Sequence, residues 1–123
     1  MKNKNSAEKW KELCAKLGQD FGEGDALNLE GVLFLIGVNE LGKGKKKYKK
    51  DQKMELMHIA ICTVLEPLGY YEFEKYDAEG WPHFTLKEKL PALKPGQQSV
   101  LMKEAVITYF ENRGFFEEVM DEE

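Results

Sequence analysis

Two consecutive helical segments are apolar on nearly every side, and a small chain that carries them must find cover for both. Asn28 can cap a helix running to about Leu41, with Leu29, Val32, Leu33, Phe34, Leu35, Ile36, Val38 and Leu41 leaving little polar surface. Asp51 can cap the next, ending near Leu68 before Gly69. On that segment Met54, Met57, Ile61, Val64, Leu65 and Leu68 share one stripe, and Leu56, Ala60 and Thr63 lie opposite. Only Glu55 and Glu66 form a polar strip, so protein is expected to wrap this third helix almost completely.

The flanking segments supply part of that cover. Ser6 is read as the cap of a first helix with Trp10, Leu13, Cys14 and Leu17 at spacings of three and four, and Gly18 as its end. Lys9 stands where a capping box from Ser6 would need Glu or Gln. Gln19–Ala26 reads as a Gly- and acid-rich loop. A last helix is expected from about Gln97 to Asn112, with Leu101, Met102, Ala105, Val106, Tyr109 and Phe110 on one face and Gly114 after it.

Between the third and last helices the period changes to two. Tyr70–Tyr76 and Trp81–Lys87 flank Asp77-Ala78-Glu79-Gly80, the pattern of a hairpin turn. Pairing Tyr76 with Trp81 sets Phe73 opposite Phe84, Tyr71 opposite Leu86, Glu74 opposite His83 and Glu72 opposite Thr85. Tyr71, Phe73, Phe84 and Leu86 should then pack on the helices, since a lone hairpin is marginal in water. The expected fold class is α+β, mainly helical: about four helices with one antiparallel β-hairpin before the last helix. With 123 residues, residues 1–123 read as a single domain, with 1–5 and 115–123 as flexible tails.

Composition narrows the function classes. The longest apolar run, Val32–Val38, falls far short of the roughly 20 residues that span a bilayer. Met1–Trp10 is polar, without the core of a secretory signal. Cys14 and Cys62 read as reduced, packed thiols. A cytoplasmic protein without a membrane partner is expected.

Most of the motifs fail on chemistry. Gly37–Gly44 nearly spells a phosphate-binding loop, but Gly44 replaces the hydroxyl residue that loop needs. Asp20-Phe21-Gly22 matches a kinase tripeptide without the catalytic loop that goes with it. Glu55, His58 and Cys62 lie along one helix edge and have the chemical types of a zinc set. The bland reading of His58 and Cys62 is packing, so neither metal nor cofactor is expected. His83 facing Glu74 reads as a surface ion pair.

Within a net charge of −4, residues 43–53 carry seven lysines against Asp51 alone. Lys43, Lys45, Lys46, Lys47, Lys49 and Lys50 could contact phosphates, and the order of elements matches a winged helix. Against this stand an apolar third helix, an acidic wing (Glu72, Glu74, Asp77, Glu79) and a joint of about nine residues where three or four are usual. Nucleic acid is therefore the alternative partner. An enzyme built on Glu40, His58, Glu72 or His83 comes third, and requires at least two of them in one pocket.

Leu35-Ile36-Gly37 through Leu41-Gly42, Met57-His58-Ile59-Ala60, Gly69-Tyr70-Tyr71-Glu72 and Asp77-Ala78-Glu79-Gly80-Trp81-Pro82-His83 together resemble a family of short bacterial proteins of unknown function. The resemblance covers roughly residues 29 to 111. It implies a bacterial, cytoplasmic, single-domain protein and carries over no functional residue. The leading expectation is a non-catalytic binding or interaction module, with a protein partner or a second copy of itself. Its expected contact surface is the aromatic turn: Tyr70, Tyr76, Trp81, Pro82 and His83.

Overall fold

A computed structural model describes residues 5–21, 24–42 and 47–115. In chain order these form α1 (Ser6–Phe21), α2 (Leu29–Leu41), α3 (Lys50–Leu65), a 3₁₀ turn (Glu66–Leu68), β1 (Tyr71–Tyr76), β2 (Pro82–Leu86) and α4 (Pro95–Glu111). The expected class holds: α+β, mainly helical, with an antiparallel hairpin before the last helix. Lys43, Lys45 and Lys46 lie outside the described residues, as do 1–4 and 116–123. Of the expected tails, Asn5 and Phe115 are described; Asn5 caps α1 and Phe115 packs edge-on against Phe110, ring centroids 5.4 Å apart.

Several boundaries move, each for a local reason. Asn5 rather than Ser6 caps α1: its Oδ1 accepts from the Glu8 amide at 2.8 Å, and its own amide donates to Glu8 Oε1 at 3.2 Å. Gly18 does not end α1, which continues to Phe21. Its lack of a side chain is used for packing instead. A Cβ there would lie 1.9 Å from the Asp25 carbonyl oxygen, because the returning loop runs against this turn and the Leu27 amide donates to the Cys14 carbonyl at 3.1 Å. α2 starts and stops where expected, with Asn28 Oδ1 accepting from the Gly31 amide and Gly42 closing the helix. α3 is capped at Lys49, whose amide donates to Gln52 Oε1 at 2.8 Å. Asp51 instead sits inside the first turn, where a carboxylate complements the helix dipole. α4 begins two residues early, with Pro95 in its first turn.

The main core draws on all four helices: Leu13, Cys14 and Leu17 from α1, Val32, Leu33 and Ile36 from α2, Ala60, Val64 and Leu65 from α3, and Ala105, Val106 and Tyr109 from α4. α3 is the hub, touching α2, α4 and both strands. α2 crosses it at very short range, since a Cβ at Gly37 would fall 2.3 Å from the Leu56 carbonyl oxygen. A smaller cluster of Leu41, Tyr48 and Leu56 takes in Phe34, Val38 and Trp81. Tyr48 thus packs into the core between the exposed Lys47 and Lys49.

Two expectations about cover fail. α3 is not wrapped on nearly every side: Leu56, Ile59, Ala60, Cys62, Val64 and Leu65 are buried, yet Met54 is 67% exposed, and Glu55 and His58 also face out. The hairpin docks only in part. Tyr71 packs on the core, whereas Phe73 and Leu86 are exposed. Phe73 stacks within the hairpin, 5.8 Å from Phe84 and 5.0 Å from Tyr76.

The α2–α3 crossing gives a direct prediction. Gly37→Ala should destabilise the protein by about 3 kcal/mol, because backbone rather than a movable side chain blocks the methyl. Gly96→Ala, which meets nothing within 4 Å, should gain ~0.5 kcal/mol from helix propensity. Thermal denaturation checks both, with Gly37→Ala expected to melt ~10 °C lower. Equal melting temperatures for the two variants would contradict the close crossing.

Candidate functional site

The hairpin turn is built around one carboxylate. Asp77 and Trp81 close the loop, the Asp77 amide donating to the Trp81 carbonyl at 2.9 Å, and Gly80 lies between them at φ +88°. Asp77 Oδ1 accepts from the amides of Glu79 at 2.9 Å and Trp81 at 3.0 Å. Its Oδ2 lies 3.0 Å from His83 Nε2. The loop is therefore one residue shorter than a Tyr76–Trp81 pairing assumes, and Tyr76 stands opposite Pro82 and Lys75 opposite His83. A bulge between Phe73 and Lys75 absorbs the extra residue and restores Phe73–Phe84, Glu72–Thr85 and Tyr71–Leu86. The expected Glu74–His83 pair is thereby corrected. Glu74 receives the Thr85 hydroxyl at 3.2 Å, and the imidazole goes to Asp77.

This turn stands over the open edge of α3 and leaves a cleft of about 420 Å³ between them. From α3 it is lined by Asp51, Gln52, Glu55, His58 and Ile59, and from the hairpin by Asp77, Glu79, Trp81, Pro82, His83 and Phe84. Both histidines of the chain thus meet in one pocket. Of the other two acid–base candidates, Glu72 pairs with Lys87 at 3.2 Å on the hairpin surface. Glu40 accepts the Tyr109 hydroxyl at 2.6 Å and Arg113 at 3.2 Å, tying the end of α2 to α4. Burial and then the Glu40 carboxylate push the Tyr109 phenol up to about 12.

The metal set is not assembled. His58 Nε2 lies 3.5 Å from Cys62 Sγ, but Cys62 is fully buried and Glu55 is exposed on the cleft side. Among the described residues no three His, Cys, Asp or Glu groups are placed to share an ion. Burial pushes the Cys62 thiol up to about 11, so it stays protonated and unreactive at neutral pH. Nearby hydroxyls are committed too: Thr63 donates to the Ile59 carbonyl at 2.7 Å and Thr85 to Glu74. The cleft holds carboxylates and imidazoles, and no thiol, hydroxyl or amine side chain is among its lining residues.

The residues of the aromatic turn differ in exposure, although Trp81, Pro82 and His83 line the cleft together. Trp81 packs into the smaller core cluster, Pro82 is buried, and Tyr70 packs against the main core. Tyr76 and His83 are exposed, and Tyr76 belongs with Phe73 and Glu40 in a separate shallow hollow. Of the lysine set, Lys47, Lys49 and Lys50 are described and exposed. Directly after them in the chain come Asp51 and Glu55 of the cleft, carboxylates that oppose a polyanion there.

The sequence leaves α2 either central in the core or half-covered by a partner chain, and an apolar surface does run along it. Two adjoining hollows of about 550 and 530 Å³ run along the outer face of α2 and share Phe21, Leu35 and Val38. Leu17, Tyr109, Phe110 and Phe115 line the first; Leu27, Gly31, Phe34 and Tyr48 line the second. The signal was present in the all-round apolarity of α2, but nothing in its period says which side faces the core. Comparison with known protein families, curated proteins and solved structures finds no match to this chain.

Two measurements probe the turn and the thiol. The His83 hydrogen bond, then the Trp81 and Glu79 amides, hold the Asp77 carboxyl below the usual carboxylate range. A carboxyl lowered by folding stabilises the turn above the ordinary carboxylate pKa and loses that contribution as pH falls through its own lower value. His83→Ala should move the Asp77 titration, followed by carboxyl carbon NMR, back up towards the ordinary range. An unmoved midpoint would remove the imidazole as its main cause. Neither cysteine should react with a thiol reagent at pH 8 until the protein is denatured, as both are buried free thiols raised by burial. Rapid labelling of folded protein would contradict this.

Proposed function

We propose that the protein is a small non-catalytic interaction module whose contact surface is the outer face of α2. One observation carries this: two adjoining apolar hollows run along a helix whose other side already supplies the core. Val32, Leu33 and Ile36 face inward, while Phe34, Leu35 and Val38 stay half-exposed. An apolar lining rimmed by Asn39, Lys47 and Arg113 has the arrangement of a protein-binding patch, an apolar centre within a polar edge. The hairpin cleft joins His58 and His83, which keeps an acid–base enzyme as the second reading; binding is preferred because no thiol, hydroxyl or amine side chain lines that cleft. Two buried free thiols fit a reducing, cytoplasmic setting. No helix among the described residues is long and apolar enough to cross a membrane.

A photo-crosslinking residue at position 35 in the full chain tests this in the producing cell. Discrete protein adducts are expected from position 35 and none from position 89 at the far end of the hairpin connection. An absence of adducts from position 35 would reject α2 as the contact face.

A further inference from the structure

We propose that the cleft between α3 and the hairpin turn binds a small organic cation, an amine or guanidine carried on a short aliphatic body. The cleft shares no lining residue with the hollows along α2, so this site stands or falls apart from the interaction face.

The two walls come from different elements and carry one sign of charge. α3 contributes Asp51 and Glu55, the turn contributes Asp77 and Glu79, and no lysine or arginine is among the lining residues. Carboxylates that line one concave space focus negative potential into it and raise the local concentration of cations. They are not equally engaged. Asp77 holds two amides and the His83 ring, and Asp51 Oδ1 accepts from the Gln52 amide at 3.0 Å. Glu55 makes no hydrogen bond or ion pair among the described residues. It stands one helical turn before His58 on the cleft side of α3, and is the group left to meet a charge arriving from outside.

The rest of the lining says which kind of cation fits. Among the described residues no three His, Cys, Asp or Glu groups are placed to share an ion, so a bare metal ion finds no cage here. Apolar groups line the same space: Ile59 and Pro82 are buried there, and Trp81 and Phe84 are half-buried. Apolar and aromatic walls beside carboxylates suit a carbon skeleton that ends in a charged nitrogen, a group that an indole ring also attracts. The volume of about 420 Å³ lies in the range of small-molecule sites, roughly 300–1,000 Å³.

Both histidines of the chain line the cleft, so their imidazole NMR signals report on it directly. The full chain is titrated with putrescine at constant neutral pH and low salt. Saturable shifts with a Kd below about 1 mM are expected, and none from butanediol, the uncharged analogue. Glu55→Gln should weaken binding about fivefold, and Glu55→Lys, which sets a fixed cation in the cleft, should abolish it. Glu55 is exposed, so both variants should melt as the wild type does. Glu104→Gln, an equal change of charge on the exposed side of α4, should leave the affinity unchanged.

The absence of a saturable shift by about 10 mM putrescine overturns the proposal. So does binding by Glu55→Gln or Glu55→Lys as tight as that of the wild type. An equal loss with Glu104→Gln overturns it as well, because attraction to the net charge of the chain then explains the shifts. Magnesium ion that saturates the same signals as tightly as putrescine overturns the organic ligand, and butanediol that does so overturns the role of charge.

Discussion

The contact of Gly37 with the Leu56 carbonyl sets the distance between α2 and α3, and most of the structure follows from that distance. α3 touches every element except α1 in force, so its placement fixes the hairpin and α4. With α2 seated so closely, Val32, Leu33 and Ile36 reach the main core while Leu41 joins Leu56 and Tyr48 in the smaller one. Phe34 and Val38 pack against that smaller cluster and Leu35 against the main core, each of them only partly buried. One missing side chain thus lets the core close.

Much of the fold was legible because it follows from local chemistry. Asn28 and Gly42 delimit α2 by capping, and the change of period at Tyr70 announces the hairpin. What failed depends on geometry that the residue pattern leaves open. The alternation of apolar and polar residues is satisfied by a straight ladder. The carboxylate of Asp77 instead shortens the loop by one residue and forces a bulge at Glu74. An Asp four residues before a Trp, with Gly between, carried a hint of this cap. Gly18 gave the opposite error: a glycine at a helix end suggests termination, but here it makes room for Asp25.

The candidate sites divide along the same line. His58 and His83 lie 25 positions apart in sequence, and only the tertiary placement of the turn over α3 joins them in one cleft. Chemistry then limits what that cleft does, because the adjacent thiol is sealed in and the adjacent hydroxyls already have acceptors. Tyr48 shows how composition misleads: within a lysine run it reads as an aromatic contact, yet it is 7% exposed and serves as a core plug. The proposed contact role of the groove rests instead on the apolarity of α2, whose Phe34, Leu35 and Val38 are only partly buried.

The bulge in β1 has a bearing on solubility. A two-stranded sheet has two unpaired edges, and each is a template for strands of other molecules. Here the β1 edge is interrupted at Glu74 and carries Lys75 and Glu72, while β2 opens on Pro82, which has no amide hydrogen to offer. Neither edge presents an unbroken row of donors and acceptors. Both interruptions oppose strand addition to a small hairpin that exposes Phe73, Tyr76 and Leu86.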